Sequence, residues 1–367
     1  MQRIKRITVK TEVSSYPVII GTNSFLMLKN EIEKQRLYKN VFVIIDEKVG
    51  KHFTKKIQEA LKSFPTKKEI YILKKGESSK SYSELNRIYR TLIEKNYGRD
   101  TLILAVGGGV TGDLSGYVAS TYMRGVQLVH VPTTLLADVD SSIGGKTGIN
   151  FYDRKNIIGT FYQPRAVLVD IDFLQTLSKD EFISGLGEVI KYAFIATKGI
   201  YNLIFNNFNK LLLRNKQILN KIIYESVLFK SSVVAKDEQE FGLRKILNFG
   251  HTFAHAYESE LNFKIKHGEA VVAGIISALY LSNIKGYLRQ QKLNQFLVNL
   301  SYLKLPVNLK RLNVENVLNF MRSDKKNRGE RIKFILLKNI GEIVSDAEAN
   351  KKEVIQSILL TKDFLNN

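Results

Sequence analysis

Five short apolar runs in the first half of the chain, separated by helical stretches, restrict the fold more than any other feature. Val41–Asp46 (VFVIID), Lys68–Leu73, Thr101–Val106 (TLILAV), Gln127–Val131 (QLVHV) and Ala166–Asp170 (AVLVD) read as buried strands. Between the first three, Gly50–Ser63 and Tyr82–Tyr97 are long enough for crossover helices. Such alternation specifies a parallel sheet covered on both faces. After about residue 172 the pattern changes to periodic helical segments, Ser178–Ala196, Asn215–Val234, Leu243–Leu261 and His267–Lys285, and only Ile332–Leu337 reads as a strand. With 367 residues the expected division is an α/β domain over 1–172 and a mainly α-helical domain over 173–367, a plan that leaves a crevice for a ligand.

Composition narrows the chemistry. The chain has no cysteine, so any metal must be held by nitrogen and oxygen ligands, and disulfides, iron–sulfur clusters and thiol nucleophiles are excluded. The formal charge of +21 is spread along the chain with no block of consecutive basic residues, which favours a solvated basic surface or an anionic small substrate over nucleic acid. The longest apolar run, Val271–Leu281, is shorter than the roughly 18–20 residues of a membrane span, and the N-terminal residues carry no secretory signal, so a soluble, cytoplasmic protein is expected.

Nine of the 24 glycines fall between Gly107 and Gly148, where even spreading would put about three. The strand TLILAV runs into Gly107-Gly108-Gly109-Val110-Thr111-Gly112-Asp113 and then a helix, an order that points backbone N–H groups at an anion. Spacing alone leaves open a second reading, a tight turn packing helix on sheet. Asp46 ends an early strand, where a carboxylate suits a ribose diol. Downstream, Arg124 and the string Pro132–Asn150, followed by Lys155 and Asn156, concentrate hydroxyls, carboxylates and cations that a core has no use for.

His251, His255 and His267 lie within seventeen residues. A mononuclear site in a cysteine-free chain needs imidazoles and a carboxylate. Spacing alone would choose the i,i+4 pair His251 and His255 with Glu269 or Glu258; two histidines on a polar helix face with no ligand is the alternative. Glu188 and Lys191 share another helical face, and an intrahelical ion pair would explain them equally well.

The strings GESSK (Gly76–Lys80), GGGVTGD, PTTLLADVDSSIGGKTGIN, GEVIKY, LNFGHTFAHA, HGEAV and Asp324-Lys325-Lys326, in this order, resemble the 3-dehydroquinate synthase family of sugar phosphate cyclases. The resemblance implies a Rossmann-like NAD domain followed by a helical metal domain, catalytic NAD, a divalent metal (zinc or cobalt), and a phosphorylated sugar acid, 3-deoxy-D-arabino-heptulosonate 7-phosphate, as substrate. It assigns the metal to Glu188, His251 and His267, and moves His255 to the substrate. It assigns NAD to Asp46, Glu77, Lys80, Gly108, Gly109, Asp113, Thr133, Thr134 and Lys155, with Lys146 at the margin of both sites. Substrate contacts correspond to Asp140, Lys146, Asn156, Lys191, Lys230, Glu240, Arg244, Asn248, His255 and one of Lys325 and Lys326. Arg124 matches an arginine that the family supplies across a homodimer interface. The rival readings are another sugar phosphate cyclase and a metal-dependent polyol dehydrogenase; no nucleic-acid or membrane partner is implied.

Overall fold

The computed structural model describes residues 4–34, 39–62, 64, 67–152, 154–302, 309, 311–323 and 332–366. They divide into two compact units, one of residues 1–182 and 212–239, the other of residues 183–211 and 240–367.

The first unit contains strands β1 (Lys5–Lys10), β2 (Ser15–Gly21), β3 (Asn40–Asp46), β4 (Lys68–Leu73), β5 (Thr101–Gly107), β6 (Gln127–Pro132), β7 (Lys146–Phe151), β8 (Arg154–Phe161) and β9 (Ala166–Asp170). Seven of them form one sheet in the order β1-β2-β9-β6-β5-β3-β4. The five strands read from the apolar runs are all present and all parallel. Two-residue periodicity explains why both faces are apolar: Leu102, Leu104 and Val106 of β5 join Val41, Val43 and Ile45 in one core, while Ile103 and Ala105 join Phe42 and Ile44 in the other. The helix Glu47–Lys62 covers the first face with Ile57 and Leu61. Helices Tyr82–Glu94 and Gly109–Thr121 cover the second with Leu85, Ile88, Leu114 and Val118.

Three features depart from the sequence reading. The N-terminal segment adds a β-hairpin, β1 antiparallel to β2, whose β2 extends the sheet parallel to β9. The polar string after Pro132 is not a loop throughout: after a π-helical turn over Ala137–Ser141 it enters the antiparallel hairpin β7–β8. The helix Lys216–Val234, expected with the helical half, belongs to the first unit, where it packs on β1, β2 and that turn. Periodicity reveals an apolar helix face but not the surface that covers it.

The second unit is built around the helix His267–Ile284, which is buried nearly all round through Val271, Val272, Ile275, Ile276 and Leu279. Tyr257, Ser277 and Thr361 tie three helices together through buried hydroxyl contacts of 2.7 and 2.8 Å. The expected strand is β10 (Lys333–Asn339), and it pairs with β11 (Glu342–Glu348), whose charged sequence concealed it. The single helix expected over Leu243–Leu261 is instead a 3₁₀ turn, Leu243–Asn248, and a helix, His251–Glu260, divided at Gly250 with φ of 80°. Among the described residues no helix is long and apolar enough to cross a membrane.

Candidate active site

In the first unit the strand order reverses between β3 and β5, and both strands end on residues singled out in the sequence. In an open parallel sheet this is where ligands bind. Asp46 closes β3, its carboxylate accepting N–H groups of Lys48 and Val49 at 2.9 and 3.3 Å. Gly107 closes β5, and the helix Gly109–Thr121 begins with Gly108 as an N-cap that offers no side-chain acceptor, so its first-turn N–H groups are open to an anion. A side chain at Gly108 would press on Thr134, its Cβ 3.0 Å from Cγ2. Beside the loop, Lys80 is buried and contacts both Asp113 and Asn156. Burial raises the Asp113 carboxyl, with Lys80 opposing the shift. Glu77 accepts from Asn150 at 2.8 Å, and Thr134 Oγ1 accepts from the Ala137 N–H at 3.2 Å. Thr133 is buried, Lys146 and Lys155 are exposed on β7 and β8, and Arg124 is exposed with a left-handed backbone at φ of 66°. Lys230 reaches across to the π-helical turn, donating to the Asp140 carbonyl at 2.6 Å and its carboxylate at 2.8 Å.

Asp138, in the same turn, escaped the sequence reading. It is fully buried, and among the described residues neither carboxyl oxygen has a hydrogen-bond partner. Burial, and secondarily the charge of Asp170, raise it well above the usual carboxylate range.

In the second unit, Glu188, His251 and His267 bring one oxygen and two nitrogens within 4.8 Å of one another. Glycines set this arrangement. A Cβ on Gly187 would lie 2.2 Å from the Gly268 carbonyl oxygen, and one on Gly274 would lie 2.2 Å from that of Gly250. The helices therefore meet backbone to backbone at residues adjacent to all three ligands.

The donor set fits a divalent cation. Nε2 of His251 and of His267 lie 3.4 and 3.3 Å from Glu188 Oε1. Those separations exceed an ordinary hydrogen bond and match the edge of a tetrahedron, about 3.4 Å for ligands about 2.1 Å from a centre. Both Glu188 oxygens are buried without a well-formed hydrogen bond. Behind the rings, His251 Nδ1 lies 3.2 Å from the Phe249 carbonyl and His267 Nδ1 lies 3.5 Å from Glu258, so the Nε2 atoms face inward. Burial lowers His251 to about 4, leaving it neutral and ready to ligate. Burial alone would raise Glu188, but contact with Lys191, and the two histidines, hold it well below the usual range. Burial opposes the charge on His267 as well, yet Glu188 and Glu258 outweigh it and raise the metal-free ring to about 10.

The i,i+4 pairing is not the one that converges on a carboxylate. The His255 ring stands 5.5 Å from His251 and at 90° to it, outside the three-atom cluster. Glu258 lies behind His267 rather than in front of it. In the same unit, Asn248 donates to Glu240, which adopts a left-handed backbone at φ of 66°, and Arg244 is buried. Asp324, Lys325 and Lys326 lie outside the described residues.

Comparison with known proteins bears on the whole chain. Residues 70–184 match the family model for 3-dehydroquinate synthase, N-terminal, and residues 185–327 that for its C-terminal part. The 3-dehydroquinate synthase of Pelagibacter ubique is 37% identical, with 98% of each chain covered. That of Alkaliphilus oremlandii is 44% identical, with 88% of each covered. A solved 2-epi-5-epi-valiolone synthase from Streptomyces hygroscopicus with NAD+ and Zn2+ bound superimposes with a TM-score of 0.87 at 25% identity, covering 98% of this chain and 99% of that one. An iron-containing alcohol dehydrogenase shares the fold alone, with a TM-score of 0.65 at 15% identity and 99% of each chain covered. With both family models matched in tandem and relatives this similar over nearly the full length, the chain belongs to the 3-dehydroquinate synthase family.

Proposed function

We propose that this protein converts 3-deoxy-D-arabino-heptulosonate 7-phosphate to 3-dehydroquinate and phosphate, with NAD used catalytically and one divalent cation, in the shikimate route to aromatic amino acids. The observation that carries the reading is the Glu188, His251 and His267 cluster in a chain 37–44% identical to enzymes of that name. When bound, NAD supplies a reversible hydride acceptor that makes C5 transiently a ketone and the C6 proton acidic, and the cation supplies Lewis-acid charge beside the C5 oxygen.

The chain's own residues bind and orient. Asp46, at the end of β3, suits a ribose diol, and the open N–H groups of the Gly109–Thr121 helix suit a pyrophosphate, with Glu77, Lys80, Asp113, Thr133, Thr134 and Lys155 around them. Glu188, His251 and His267 would hold the cation, and zinc and cobalt both suit that donor set. Arg244 and Lys230 take the substrate carboxylate, where a planar guanidinium offers two parallel hydrogen bonds. Lys146, Asn156, Asn248, His255 and a C-terminal lysine take the phosphate, joined by Arg124 of the partner subunit in a homodimer. Lys191, Glu240 and Asp140 position hydroxyls. Substrate phosphate serves as base for its own elimination, so the protein's main work is to hold one conformer and exclude water. A biosynthetic role of this kind fits a soluble, cytoplasmic enzyme.

The test is phosphate release from the named substrate with substoichiometric NAD. Release without NADH accumulation, abolished by a chelator and restored by zinc or cobalt, is expected. NADH accumulating in step with substrate loss would establish a dehydrogenase instead, and equal turnover of an analogue lacking the carboxylate would point to another cyclase.

A further inference from the structure

We propose that Glu258 is a positioning residue for the metal site, accepting the Nδ1–H of His267 and so fixing the ring with Nε2 aimed at the cation it would ligate. The inference rests on the metal reading of Glu188, His251 and His267.

The His267 ring stands between two carboxylates. Nε2 faces Glu188 Oε1 at 3.3 Å, and Nδ1, on the opposite side, faces Glu258 Oε1 at 3.5 Å. A neutral imidazole carries one N–H, so when Nε2 gives its lone pair to a cation the proton must reside on Nδ1, where a carboxylate can only accept it. Glu258 thus selects the ligating tautomer. It can do so because it lies on the same helix as His251, seven residues on, and so presents to the same side.

The two histidines divide this task differently. The His251 side chain is 11% exposed and its Nδ1 is satisfied by a backbone carbonyl; that of His267 is 35% exposed, at the start of its helix. Packing holds the first ring, whereas the second needs a stronger partner, and a carboxylate is stronger than a carbonyl. Charge gives a second reason. The negative charge of Glu188 is offset by Lys191 in direct contact with it, and Glu258, itself buried, restores a negative charge beside a dication.

Cobalt titration of the full-length protein, read by visible absorption and by competition with a chelator, tests the role. Glu258→Ala should weaken cobalt binding 10–100-fold and alter the cobalt spectrum. Glu258→Gln, which keeps an acceptor oxygen but not the charge, should recover part of the affinity and the parental spectrum, and the metal-free melting temperatures should agree. Parental affinity and spectrum in Glu258→Ala, or equal losses in both variants, would overturn the proposal while leaving the metal site intact. If the alanine variant does not fold, Glu258→Asp, whose carboxylate is one methylene shorter, must show an intermediate loss or the role is refuted. Failure of the parent protein to bind cobalt would overturn the metal reading itself.

Discussion

Gly187→Ala tests whether backbone contact sets the metal geometry. In an isolated helix the change should stabilise by about 1 kcal/mol, since alanine is the better helix former. Here the new methyl would lie 2.2 Å from the Gly268 carbonyl oxygen and 2.5 Å from its Cα, against an ordinary contact of at least 3.4 Å. The Glu188 and His267 helices must therefore separate by about 1.2 Å, at an overpacking cost of roughly 1–3 kcal/mol. The Glu188 Oε1 to His267 Nε2 separation, now 3.3 Å, would open to about 4.5 Å, too wide for both atoms to sit about 2.1 Å from one cation in a tetrahedral shell. Metal affinity should fall 10–100-fold, equivalent to about 1.4–2.7 kcal/mol. The assay is chelator competition for zinc or cobalt, paired with the melting temperature of the metal-free protein. Gly199→Ala is the control, because its Cβ would meet nothing closer than Thr197 Oγ1 at 3.5 Å. Undiminished metal affinity in Gly187→Ala, or a melting temperature raised as in the control, would refute the argument.

Other outcomes follow from the same geometry. His267→Ala should lose metal, whereas His255→Ala should keep metal, measured by elemental analysis, and lose turnover; equal metal loss in both would overturn the ligand set. Arg244→Lys keeps the charge but not the fork, so kcat/KM should drop about 100-fold, near 2.7 kcal/mol, while metal content is unchanged. His130 is buried in β6 and burial lowers it to about 4, so it binds a proton more weakly folded than unfolded. Its contribution is complete above pH 6.5 and is lost as pH falls toward 4, about 2 kcal/mol between pH 7.5 and 5. Urea unfolding at the two pH values should show a smaller acid loss in His130→Asn; an identical loss would remove His130 as the cause.

The parallel core of the sheet was legible because four strands buried on both faces leave continuous apolar runs, and the half-exposed edge strand β4 keeps an apolar run beside them. β1, β2 and β11 were not read: β1 and β11 are half-exposed and carry Lys, Arg or Glu, so they resemble loops, whereas β2 (SYPVIIG) is buried but carries a proline and pairs with β9, far away in sequence. The metal cluster illustrates a deeper limit. Helical spacing finds neighbours on one helix, yet Glu188, His251 and His267 come from three, and what joins them is contact at Gly187, Gly250, Gly268 and Gly274. Only the resemblance of whole strings identified that set. Asp138 lay inside one of those strings, but its isolation depends on burial that no local pattern records.

The return of the Lys216–Val234 helix to the first unit has a consequence for how the protein is made. The nucleotide-type sheet is complete by Asp170, but its unit closes only with residue 239, so nearly two-thirds of the 367-residue chain must leave the ribosome before that unit can finish folding. Until then β1 and β2 lack the helix that packs on them, and Asp140 lacks Lys230. A gene fragment cut after the last strand of the sheet would encode an incomplete body, and because the chain alternates between the two units, neither a single break nor a circular permutation separates this enzyme into autonomous halves.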